Sequence, residues 1–214
     1  MEGPVLIGEA LAAGWEIEAE FVADGARPTS DAPVHTLAPG VIERVATTDT
    51  PQGSIAVVRM PARVVDLASV SFVLVLHGLA DPGNLGTLLR SAEAAGVDAV
   101  ALTPGSVDAY NPKVVRASAG ALFHVPVVDA DVSDVRAAGL RLVATSSHRG
   151  SPSELADWSG RVAIVLGNEA HGLPADVPVD EWVTIPHRGR AESLNVAMAG
   201  TVVLFDMVRR RGHP

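Results

Sequence analysis

A chain of 214 residues, 48% hydrophobic and 19% charged, holds either one large domain or a small one followed by a medium one, and is too apolar to be disordered. It has no cysteine, which excludes a disulfide framework and any thiolate metal site. Its net charge of −9 weighs against a nucleic-acid partner when the chain is taken whole.

Residues 4–13 predict a short helix, with Pro4 near its start and Gly14 as a stop. Residues 16–22 alternate polar and apolar side chains like a half-exposed strand. Short apolar runs follow at 34–37 and 55–60, with a helix-like stretch at 39–46 between them. Together they form a small α/β unit over 1–62, joined by a linker at 63–71 to a domain over 72–214.

In that second part, strands are expected at 72–77, 99–103, 123–128, 141–144, 161–166 and 182–185, and helices at 84–95, 112–119, 132–138 and 193–210. Strands that are apolar without alternation belong to a sheet covered on both faces, hence a mostly parallel sheet with helices on both sides. No stretch reaches the roughly 18 apolar residues of a membrane span, and no basic segment leads into an apolar run at the N-terminus. A cytoplasmic protein is expected.

The charge is uneven. Residues 1–62 carry nine acids against Arg27, Arg44 and Arg59, a net −6, whereas 63–214 carry sixteen acids and thirteen bases, a net −3. Lys113 is the only lysine, so the positive charge is nearly all arginine, which suits bidentate phosphate contacts.

Three segments place glycine and polar groups where a strand ends, the position at which α/β proteins bind ligands. The first is Asp81-Pro82-Gly83-Asn84, with Asn84 as the expected N-cap and Arg90 inside the helix. A helix start beside a guanidinium suits a phosphate, although for this segment taken alone a capped helix with Arg90 paired to Glu93 on a solvated face is the better account. The second is Leu166-Gly167-Asn168-Glu169, where a glycine lets a flat ring approach the backbone. The third runs from Ile185-Pro186 to Ser193-Leu194-Asn195, with Ser193 capping an apolar last helix that needs either a core or a second subunit around it. The arginines 209–211 favour that helix's C-terminal dipole. Seven histidines show no ligand spacing, so no metal is expected, and no G-x-S-x-G, P-loop or G-x-G-x-x-G pattern is present.

Taken in order, these segments resemble the three motifs of the SpoU/TrmH family of RNA 2′-O-ribose methyltransferases, of the SPOUT superfamily, over residues 72–210. The run Asn111–Gly120 is similar to the family's middle region, and residues 1–62 resemble the small substrate-binding domain that often precedes the catalytic one. The resemblance implies S-adenosylmethionine as methyl donor, bound in a C-terminal trefoil knot, an obligate homodimer, and rRNA or tRNA as substrate. It implies that Leu166, Gly167, Ile185, Pro186 and Leu194 hold the cofactor, and that Asn84, Arg90, Glu169, Ser193 and Asn195 form the catalytic side. Ala170-His171 and His187-Arg188 depart from the family's usual residues. A basic stretch common upstream in the family is missing, which implies a weaker RNA grip or residues preceding Met1. Three other readings stand beside this one: an RNA-binding homologue that no longer methylates, a SPOUT enzyme acting on a base nitrogen, and a small-molecule nucleotide-binding α/β protein, which explains the glycines but not the three motifs jointly.

Overall fold

The computed structural model describes residues 1–61 and 65–212. Two compact units, Met1–Ala62 and Arg63–Pro214, make up the chain. Residues 63 and 64 of the expected linker lie outside the described residues.

In the first unit, α1 (Pro4–Ala12) buries Leu6, Ile7 and Ala10. A three-stranded sheet has β1 (Ile17–Ala23) at its centre, parallel to β2 (Val34–Leu37); α2 (Ile42–Val45) leads on to β3 (Ser54–Val58), which runs antiparallel to β1. The alternation along β1 is real, but its buried members are Glu20 and Val22, while Ala19 and Phe21 are only half-buried. Glu20 tolerates full burial because its carboxylate accepts from Thr29 N at 2.9 Å, Ser30 N at 2.8 Å and Ser30 Oγ at 2.7 Å.

The second unit begins with β4 (Phe72–Leu76), α3 (Pro82–Ala94), β5 (Ala99–Leu102), α4 (Pro112–Ala117), α5 (Ala121–His124) and β6 (Val127–Asp129). It continues with α6 (Val132–Ala137), β7 (Arg141–Thr145), β8 (Ser151–Pro152), β9 (Val162–Leu166), β10 (Glu181–Thr184) and α7 (Val196–Arg211). The strands form a seven-stranded sheet in the order β6-β5-β4-β9-β7-β10-β8, and every neighbouring pair is parallel. Successive strand residues feed opposite cores. Leu74, Leu76, Ile164 and Leu166 join the α3, α4, α5 and α7 side, whereas Val73, Val75, Ala163 and Val165 join the α6 side. All eight are fully buried, which is why these strands read as unbroken apolar runs.

Three of the differences from the expected boundaries have a clear local cause. Residues 121–124 form a helical turn, and only 127–129 pair as a strand, because Gly120 at φ 97° starts a turn closed by Phe123 N on Gly120 O. The helix expected from Asn84 starts at Pro82: Asp81 is its cap and accepts from Asn84 N at 2.8 Å. The helix expected from Ser193 starts at Val196, with Asn195 as its cap rather than Ser193.

The arginines at the end of α7 are structural ties. Arg210 Nε donates to Glu154 O at 2.6 Å, and Arg211 Nε donates to Trp158 O at 2.8 Å. One turn earlier, buried Asp206 accepts from Ser153 Oγ at 2.6 Å.

Candidate active site at the carboxyl ends of the central strands

Pairing of β4 with β9, Leu76 against Leu166, brings the loop entering α3 beside the loop that leaves β9. Two neighbouring side chains tie them together. Asn168 Nδ2 donates to Gly78 O at 2.8 Å. The Glu169 carboxylate accepts from Ala80 N at 3.2 Å, Asp81 N at 2.9 Å and Asn84 Nδ2 at 3.2 Å. From the third segment, Asn195 Nδ2 donates to Asn84 Oδ1 at 3.0 Å, while its own Oδ1 caps α7 by accepting from Ala197 N and Met198 N. Asn84, Glu169 and Asn195, distant in sequence, therefore form one hydrogen-bonded chain. Partial burial works against the Glu169 anion, but N–H donors from Asp81, its own backbone, Ala80 and Asn84 outweigh it and hold its pKa below the ordinary glutamate value.

Beside this chain lies a cavity of about 490 Å³ at the ends of β7, β9 and β10. Gly167, Ile185 and Leu194, from the expected cofactor set, line it, and so do Glu169 and Ser193, from the expected catalytic set. Leu166 and Pro186 do not line it. Leu166 is a fully buried strand residue, so close to Gly200 of α7 that a Cβ there would lie 2.5 Å from Leu166 Cδ1. Pro186 is exposed on the loop beyond β10. Arg90 is also outside the lining, exposed on α3; no ion pair with Glu93 holds it, and it has no partner among the described residues.

Gly167 is required for a reason the sequence did not give. A Cβ there would meet Gly172 C at 2.2 Å and Leu173 N at 2.3 Å, because the chain folds back on itself through paired Asn168–Gly172 backbone hydrogen bonds. The close neighbour of this glycine is the protein's own backbone.

Sequence reasoning missed the wall formed by residues 145–149 together with Trp182. The signal was available: Ser146-Ser147-His148-Arg149-Gly150 is a polar, glycine-closed run after a strand, like the three segments chosen. Among the described residues, no cluster of His, Asp and Glu is arranged to hold a metal ion, and no helix is long and apolar enough to cross a membrane.

A model of the SpoU rRNA Methylase family matches residues 71–205, well over half of the chain. The 23S rRNA (guanosine(2553)-2′-O)-methyltransferase RlmP of Bacillus subtilis is 36% identical over 217 residues, spanning 97% of this chain and 87% of that protein. The crystal structure of the SpoU methyltransferase AviRb from Streptomyces viridochromogenes, in complex with AdoMet, superposes with a TM-score of 0.87 at 30% identity, covering 99% of this chain and 89% of that one. The AdoMet-bound rRNA methyltransferase from Sinorhizobium meliloti also superposes at 0.87, with 29% identity over 100% of this chain and 87% of its own. The seven-stranded parallel sheet with helices on both faces is shared with these structures, and the chain belongs to the SpoU rRNA methylase family.

Proposed function

We propose that this protein is an S-adenosylmethionine-dependent rRNA methyltransferase acting on a ribose 2′-hydroxyl. The observation that carries the reading is the Asn84–Glu169–Asn195 chain at the edge of a cavity lined by Gly167, Ile185, Ser193 and Leu194. The cavity suits a nucleoside joined to an amino acid: apolar Leu173, Val183 and Ile185 offer a surface for a ring, and hydroxyl, amide and charged groups offer partners for the rest. Bound there, S-adenosylmethionine supplies a methyl group already activated on sulfur.

The protein's task is then alignment and charge. Glu169 stays ionised with its oxygens occupied by donors, so it fixes Asn84 rather than acting as a base. Asn84 in turn fixes Asn195 and the start of α7, and with them the Ser193–Leu194 wall. A near-attack geometry requires such rigidity. Arg90 is exposed and free to meet RNA. Because a guanidinium is always protonated, its role is to hold the target nucleotide's phosphate and stabilise negative charge growing on the 2′-oxygen.

The family relationship supports three further assignments. Residues 1–62 serve as a small substrate-binding domain. The C-terminal part is threaded as a trefoil knot, a path consistent with β10 lying between the consecutive strands β7 and β8. The working form is a cytoplasmic homodimer, in which Leu194, Met198 and Val202, spaced four residues apart and 38%, 64% and 37% exposed, meet the partner. The intact hydrogen-bonded chain favours an active enzyme over an inactive homologue. Titration with S-adenosylmethionine, followed by tritium transfer from it to rRNA, tests the reading. Alkali-resistant dinucleotides are expected; a labelled base with alkali-sensitive linkages would assign the enzyme to a base nitrogen instead.

A further inference from the structure

The cavity wall carries one fixed positive charge. Among the residues lining it, Arg149 is the only arginine or lysine, against the carboxylates of Glu169 and Glu192. Arg149 is held in place. Its guanidinium carbon lies 3.5 Å from the centroid of the Trp182 ring, a stacking that leaves the N–H groups at the edge free to donate. The backbone is pinned on both sides of it. Ser146 N donates to Val183 O at 2.9 Å. Gly150, at φ 112°, packs so tightly that a Cβ would lie 2.3 Å from Trp182 O. Among the described residues no carboxylate pairs with Arg149. A planar cation, preorganised and unpaired on a cavity wall, is a receptor for a carboxylate.

We propose that Arg149, seated on Trp182, binds the carboxylate of the amino-acid part of S-adenosylmethionine. This rests on the reading of the cavity as the cofactor site. The charges correspond: the ligand carries a sulfonium and an ammonium as well as a carboxylate, and the lining offers Glu169 and Glu192 as well as Arg149.

The test uses the full-length protein and two ligands in calorimetric titration: S-adenosylmethionine, and its decarboxylated form, which keeps the sulfonium and the amine. The wild type is expected to prefer the carboxylated ligand by at least about tenfold, the lower end of a charge-assisted hydrogen bond. Arg149→Gln should bring that preference to within about twofold by weakening S-adenosylmethionine alone. Trp182→Leu, which removes the platform and keeps the charge, should give an intermediate preference. A ratio unchanged in Arg149→Gln, or an equal loss for both ligands, overturns the proposal. Unchanged binding of both with a raised KM for rRNA overturns it too, and assigns Arg149 to an RNA phosphate. A wild type that binds neither ligand overturns the cofactor reading along with it, a result distinct from the others.

Discussion

Asn195, the cap of α7, donates its side-chain amide to Asn84 Oδ1 at 3.0 Å across 111 residues of sequence. One side chain thus does two separable things. Asn195→Asp keeps an acceptor for Ala197 N and Met198 N but loses the donor to Asn84. We expect it to melt near the wild-type temperature while turnover falls roughly a hundredfold, the scale of a misplaced reacting group. Asn195→Ala loses both, and should in addition cost about 1 kcal/mol of stability. Equal melting temperatures for the two variants would remove the capping role; wild-type turnover in the aspartate would remove the other.

Glu169 makes the site sensitive to acid. Its folded pKa is depressed, so its contribution is fully present above the ordinary glutamate value of 4.5 and is lost as pH falls through the lower folded value. Unfolding midpoints from pH 7 down to pH 3, two values chosen to bracket that window, should fall less steeply in Glu169→Gln than in the wild type. Parallel curves would show that the carboxylate contributes nothing to this dependence.

Gly167→Ala should destabilise by about 1–3 kcal/mol, because the added methyl meets the backbone of Gly172 and Leu173, which cannot swing aside like a side chain. Gly189→Ala is the control: nothing lies within 4 Å of a Cβ there, and a change within about 0.5 kcal/mol is expected. Chemical denaturation of both measures the difference, and similar values would show that the fold-back at 167–173 yields.

Arg90→Ala removes an exposed side chain with no partner among the described residues, so stability should move by less than about 0.5 kcal/mol. Turnover on rRNA should be abolished with affinity for S-adenosylmethionine near normal. If the main defect is instead in cofactor affinity, the phosphate-binding role is wrong.

The strands of the central sheet were legible because burial on both faces leaves nothing but Val, Leu, Ile and Ala at 73–76 and 162–166. The run at 123–128 is less clear, because Phe123, Val125, Val127 and Val128 suit a strand, whereas Gly120 starts a helical turn that ends at His124 and Pro126 stands before the paired residues. Helix starts slipped where two capping residues lie close together, Asp81 and Asn84, or Ser193 and Asn195, because pattern cannot say which side chain reaches the free N–H groups. Asn84, Glu169 and Asn195 each stand out by their place at a strand end or helix start, but nothing in the sequence reveals that they bond to one another. Residues 151–152 are too short to carry a periodicity, and the place of β10 beside them depends on contacts made across the sheet.

In α7, Val203, Leu204 and Met207 are fully buried, and Gly200 sits against Leu88 of α3 and Leu166 of β9. This helix is made after every strand it covers. As the protein emerges from the ribosome, Leu88 and Leu166 must therefore wait uncovered until residues more than thirty positions beyond Leu166 arrive to close over them. The same late element carries Asn195 at its start, so the site acquires its last member only when the core is sealed. A half-made chain is in this way both sticky and inert, and protection from aggregation arrives together with the capacity to act.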